Sequence, residues 1–129
     1  MIRGVGRVII FAKEMAPMIS FYRDVLGLTP LESEYPPEEW QRFGTGGECE
    51  LALHAISAPW RDGIEIGDPP EARRGAPSKV VLRVDELAPA RDELSAKGVR
   101  FVNEGLWSDS SIQFDILDPE GNVVQLSKE

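Results

Sequence analysis

Polar side chains that interrupt apolar strands mark where this sequence could do chemistry. Gln125 stands in DPEGNVVQLS (118–127), among Val123, Val124 and Leu126. Strand alternation puts it on one face with Val123 and Ser127. In CELALHAI (49–56), Glu50 and His54 share a face by the same parity. A carboxylate beside an imidazole is the raw material of a proton-transfer site or a metal site. One His and one Cys in 129 residues are too few for a zinc site built from soft protein ligands alone. A carboxylate-based site for a harder cation stays open by composition. His54 closes an apolar strand and has no catalytic partner legible nearby, so a core or rim imidazole is the ordinary reading. Trp40, Trp60 and Trp107 lie in or beside loop-like stretches. Rings placed there cap a core or supply contact area to an apolar ligand pocket. Arg7 and Lys79 each open an apolar run, where a solvated charge at a strand end is commonest.

The elements that must position these residues are short. RVIIFA (7–12) is rich in β-branched residues and reads as a strand. After it, Met15, Met18, Ile19, Tyr22 and Val25 recur at helical spacing, with Glu14 in the first turn and Gly27 as a stop. LTPLESEY (28–35), WQRFGT (40–45) and CELALHAI follow as three strands, broken by YPPEE and GTGGE. Residues 57–77 are dense in Pro, Gly and charge and read as a long connection with little regular structure. Then the order begins again. KVVLRV (79–84) is a strand, and DELAPARDELSAKG (85–98) is a helix with Asp85 as N-cap and Gly98 as stop. VRFVNEGL (99–106), SIQFDIL (111–117) and NVVQLS (122–127) are three more strands, with DPEGN as a tight turn between the last two.

The two halves are alike. VIIFAKEMAP (8–17) aligns with VVLRVDELAP (80–89) at Val, Glu, Ala and Pro. The repeat is longer than the roughly 20–50 residues of solenoid arrays, so it reads as a doubled module. The expected class is α+β: two βαβββ modules in a single domain, the first over about 4–56 and the second over 78–129.

Composition excludes several functions. A formal net charge of -8 argues against non-specific nucleic-acid binding, which needs basic surface. No apolar run approaches the roughly 20 residues of a membrane span. A lone cysteine, Cys49, forbids an internal disulfide and suits a reducing, cytoplasmic setting. GVG and GTGG lack the spacing and following helix of a dinucleotide or phosphate loop.

Taken together, FYRDVLGL (21–28), the second-half VDEL (84–87) with its GV (98–99), and the C-terminal DPEGNVVQL resemble the vicinal oxygen chelate superfamily. That group includes glyoxalase I, bleomycin resistance proteins and extradiol dioxygenases. The resemblance spans nearly the whole chain. It implies two modules whose curved sheets each form half of a barrel around a cleft, and a homodimer. In enzymatic members it also implies a divalent metal, held from the first and last strands of each module. The positions matched here are Arg7, Lys79, Gln125 and a residue near Ala52, with Glu50 and His54 as neighbours on its face. A guanidinium and an ammonium have no lone pair to give, and a neutral amide is a weak ligand.

The expectation is therefore a metal-free cleft, with no cofactor, that binds a small organic ligand of anionic or aromatic character. Arg7, Glu50, His54, Lys79, Gln125, Trp40 and Trp107 are its candidate residues, and Arg7 and Lys79 could pair with Glu50 in place of a metal. The alternative is a lyase, isomerase or dioxygenase of the same superfamily with shifted ligands, carried by Glu50 and His54. Two further readings are catalysis with Lys79 as base and a cleft plugged by a salt bridge.

Overall fold

A computed structural model describes residues 1–63 and 78–128. The chain divides into two compact units, Met1–Glu65 and Ile66–Glu129. Each holds one open, four-stranded mixed sheet and a helix, and neither sheet closes on itself.

In the first unit, β1 (Arg7–Ala12) is followed by the short helix α1 (Met15–Ser20). One π-helical turn, Phe21–Val25, continues it, with Leu26 N–H donating to the Phe21 carbonyl at 3.0 Å. The helix packs Met15 and Met18 inward at i, i+3, and the wider turn then buries the adjacent Phe21 and Tyr22 together. Their rings meet edge to face at 5.2 Å. Gly27, at φ 73°, turns the chain out of the helix in the left-handed region that glycine enters without strain.

Strands β2 (Thr29–Leu31), β3 (Trp40–Gly44) and β4 (Glu50–Ala55) complete a sheet ordered β1-β4-β3-β2. β1 pairs parallel with β4, and the remaining pairs are antiparallel. One face carries Ala12, Phe43, Leu51 and Leu53, all essentially buried. Tyr22 reaches this face, its ring 6.3 Å from that of Phe43. Burying a side chain of this size is worth roughly 1.5–3 kcal/mol. The other face carries Arg7, Ile9 and Phe11, then Glu50, Ala52 and His54, then Trp40 and Arg42.

The second unit repeats the plan. β5 (Val80–Arg83), α3 (Leu87–Ala96), β6 (Arg100–Val102), β7 (Gln113–Leu117) and β8 (Val123–Ser127) give a sheet ordered β5-β8-β7-β6. β5 again pairs parallel with the last strand. Gly98, at φ 77°, ends α3 as Gly27 ends the first helix. All five residues of β8 are buried, so Gln125 lies in the interior rather than on a wet face.

Several element boundaries differ from expectation. LTPLESEY forms only the three-residue β2, and VRFVNEGL stops at Val102. Asn103 takes φ 59°, which turns the strand into a 3-10 turn over Glu104–Leu106. Asn is among the few non-glycine residues that enter that region readily. The N-cap of α3 is Glu86 rather than Asp85, matching Glu14 before α1 in the repeat. The connection begins with a short helix, α2 (Ala58–Arg61), and its remainder, 64–77, lies outside the described residues. No described helix is long and apolar enough to cross a membrane.

Candidate functional site

Strand register decides which polar side chains meet. In the first unit β1 and β4 place Arg7 directly opposite Glu50. Arg7 Nε and Nη2 donate to Glu50 Oε2 at 3.1 and 2.9 Å. Arg42 lies on the same face of β3, opposite Ala52. Its Nε donates to Glu50 Oε2 at 3.0 Å and its Nη2 to Oε1 at 2.6 Å, while Nη1 donates to the Glu32 carbonyl at 3.0 Å. One carboxylate thus accepts four N–H groups from two guanidinium forks. Hydrogen bonds from Arg42, then from Arg7, pull the Glu50 carboxyl from 4.5 down to about 2.

Aromatic groups continue this face. The Arg7 guanidinium sits 5.3 Å from the Trp40 ring centroid. Trp40 meets His54 edge to face at 5.5 Å, and Phe11 lies 5.4 Å from His54 on its other strand neighbour. His54 is therefore an exposed imidazole among rings, pinned by register against Phe11 and Trp40. A hollow of about 350 Å3 opens beside this group, lined by Arg7, Arg42, Trp40, Tyr35, Ser33, Glu32 and Glu34.

The second unit arranges its polar residues differently. Gln125 lies opposite Asp115 on β7 and Val81 on β5. Its Nε2 donates to Asp115 Oδ1 at 2.9 Å. Lys79 Nζ reaches Asp115 Oδ2 at 3.4 Å, so Lys79 pairs with Asp115 within its own unit. The DPEGN turn is built on the buried Asp118 carboxylate, which accepts from the backbone N–H of Glu120 and of Asn122, both at 2.9 Å, and from Asn122 Nδ2 at 2.8 Å. Trp107 packs edge to face on Phe114 at 5.7 Å.

Arg42 and Asp115 were not among the residues singled out from sequence. Both had a signal. Arg42 follows Trp40 by two in one strand, and Asp115 is a charge at an interior position of SIQFDIL. Ala52 is fully buried, and the residue across from Arg7 is Glu50, two positions earlier.

The divalent metal that the resemblance implies finds no fitting donors at these positions. Arg7 and Lys79 are cations, both Glu50 oxygens are taken by guanidinium groups, and the Gln125 amide is bound to Asp115. Among the described residues no group of three or more His, Cys, Asp or Glu side chains is gathered closely enough to hold a metal ion.

Comparison with known proteins agrees with the doubled topology. The structure of UcmS2 superposes with a TM-score of 0.75, at 21% identity over 100% of both chains. TnmS3, an antibiotic binding protein from Streptomyces sp. CB03234, gives 0.69 at 20% identity over 98% of this chain and 95% of that one. A lactoylglutathione lyase from Agrobacterium tumefaciens gives 0.65 at 22% identity over 96% and 92%. At such identities these likenesses speak for the fold alone. A comparison with curated proteins gives no match. The family model for the Glyoxalase/Bleomycin resistance protein/Dioxygenase superfamily matches residues 4–126, and the chain belongs to that superfamily.

Proposed function

We propose that the protein binds a small organic molecule without a metal, on the exposed face of the first-unit sheet. The observation that carries this reading is the clamp of Arg7 and Arg42 on Glu50. Two guanidinium groups share one carboxylate, which leaves the cluster with one net positive charge. That charge borders a hollow of about 350 Å3 that also presents Trp40 and Tyr35, together with Glu32 and Glu34, so an anionic group is favoured only on the Arg7 and Arg42 side. A planar ring would rest on Trp40, and an anionic or polar group would face Arg7 and Arg42. His54 and Phe11 extend the aromatic surface. The likeness in fold to TnmS3, described as an antibiotic binding protein, supports this reading.

A homodimer accompanies the reading. β1 is an edge strand with Val8, Ile9 and Phe11 exposed by 37, 45 and 59%. Apolar edges of this kind are surfaces that proteins cover. Sedimentation equilibrium should give twice the chain mass of 14.3 kDa.

The test is a thermal-shift screen of aromatic acids in chelator-containing buffer, followed by native mass spectrometry of the hits. The expected result is a raised melting temperature and a one-to-one adduct, both lost in Arg42→Met. Stabilisation that depends on added metal, or hits indifferent to Arg42, would defeat the proposal.

A further inference from the structure

The second unit holds a pocket of its own, beside β6, β7 and the turn between them. Its volume is about 260 Å3. That is just under the roughly 300–1,000 Å3 usual for drug-sized ligands, so it suits a molecule of one or two rings. One wall is aromatic, with Phe101 and Trp107 both packed on Phe114, at 5.8 and 5.7 Å. Exposed Leu106 and Ile112 stand at the rim.

Arg91 of α3 also lines this pocket. Its guanidinium carbon lies 4.4 Å from the Phe101 centroid and 4.9 Å from the Trp107 centroid. The cation is held mainly by rings. The carboxylate paired with it, that of Glu104, stands 3.8 Å from Nη2, beyond hydrogen-bond length, and its own side chain is 67% exposed. Arg91 Nε is sealed from solvent and has no hydrogen-bond acceptor among the described residues. A buried N–H on a charged group without an acceptor is uncommon and unfavourable. Stacking on rings fixes the plane of the guanidinium, and its edge still offers donors in the spacing that a planar carboxylate matches.

We propose that this pocket is a binding site for a small aromatic carboxylate. The carboxylate takes the place of Glu104 at the Nη2 side of the Arg91 guanidinium. The ring lies against the aromatic wall and under Leu106 and Ile112. A bare oxyanion such as phosphate would satisfy the cation but leave the rings unused. A neutral aromatic amide would use the rings but form no ion pair with Arg91. The site involves none of the residues proposed for ligand binding in the first unit, so either can fail alone.

The experiment is amide chemical-shift mapping of the full chain during titration with benzoate, with benzamide and inorganic phosphate as controls. Saturable benzoate shifts are expected at residues 101–107 and 111–115, with both controls at least about tenfold weaker. Arg91→Lys keeps the charge but loses the fork, and it should weaken benzoate about tenfold. Glu104→Gln removes the competing carboxylate from an exposed side chain and should strengthen binding. That variant keeps the test decisive if Arg91→Lys unfolds, since a merely structural arginine predicts no gain. Absence of saturation, equal binding of benzamide, shifts confined to the Trp40 and Arg42 region, or no gain in Glu104→Gln would each overturn the proposal.

Discussion

Arg7 stands directly across the parallel β1–β4 ladder from Glu50 and donates two hydrogen bonds to the same carboxylate oxygen. Parallel pairing holds the two side chains on one face without any turn between them, and Arg42 arrives from β3 to take the second oxygen. The carboxylate is thereby committed to guanidinium partners.

The clamp makes stability depend on acid pH. Glu50 has a folded-state carboxyl lowered to about 2 from 4.5. A depressed carboxyl contributes stability that is fully present above the unfolded value and is lost as pH falls toward the folded one. The melting-temperature gap between the wild type and Glu50→Gln should be constant above about pH 5 and close progressively toward pH 2. A gap that does not change across that window would dissociate the clamp from stability.

Metal should not bind these residues. Protein purified without chelators is expected to carry substoichiometric zinc, nickel, manganese and iron by elemental analysis, and added metal should leave the melting temperature unchanged. A concentration-dependent rise in melting temperature with any of these ions would overturn the donor argument.

Placing a carboxylate at position 125 should harm the protein. Gln125 Nε2 donates to Asp115 Oδ1 at 2.9 Å, so Gln125→Glu sets two carboxylates against each other. Like charges in a buried position resist joint ionisation, and the lost hydrogen bond alone costs roughly 1–3 kcal/mol. Urea unfolding should show the variant destabilised at pH 7 and partly recovered near pH 5, where one of the pair can hold a proton. Equal stability at both values would mean the pair is solvated.

Gly98→Ala should cost about 1–2 kcal/mol through backbone strain alone. A Cβ there meets no atom within 4 Å, but φ is 77°. Gly27→Ala, at φ 73° with the same open space, should behave alike. Matching losses in denaturant midpoint would confirm that both glycines serve the same helix stop in the repeat.

Much of the fold was legible in the sequence because it depends on local rules. The β-branched run of β1, the i, i+3 methionines of α1, the stop glycines and the DPEGN turn each follow from short-range sterics or hydrogen bonding. The doubled order of elements was legible from VIIFAKEMAP over VVLRVDELAP. The short extents of β2 and β6 were not, because strand length depends on the partner available and on the Asn103 turn.

The candidate site divides the same way. The sequence by itself determined that Arg7 and Lys79 offer a metal no lone pair and Gln125 only a weak one, since donor chemistry belongs to residue type. Only the tertiary structure decided who meets whom. Glu50 goes to Arg7 and Arg42, while Lys79 and Gln125 go to Asp115. Register between strands many residues apart fixes those pairs, and a slip of one residue would turn every one of these side chains to the opposite face.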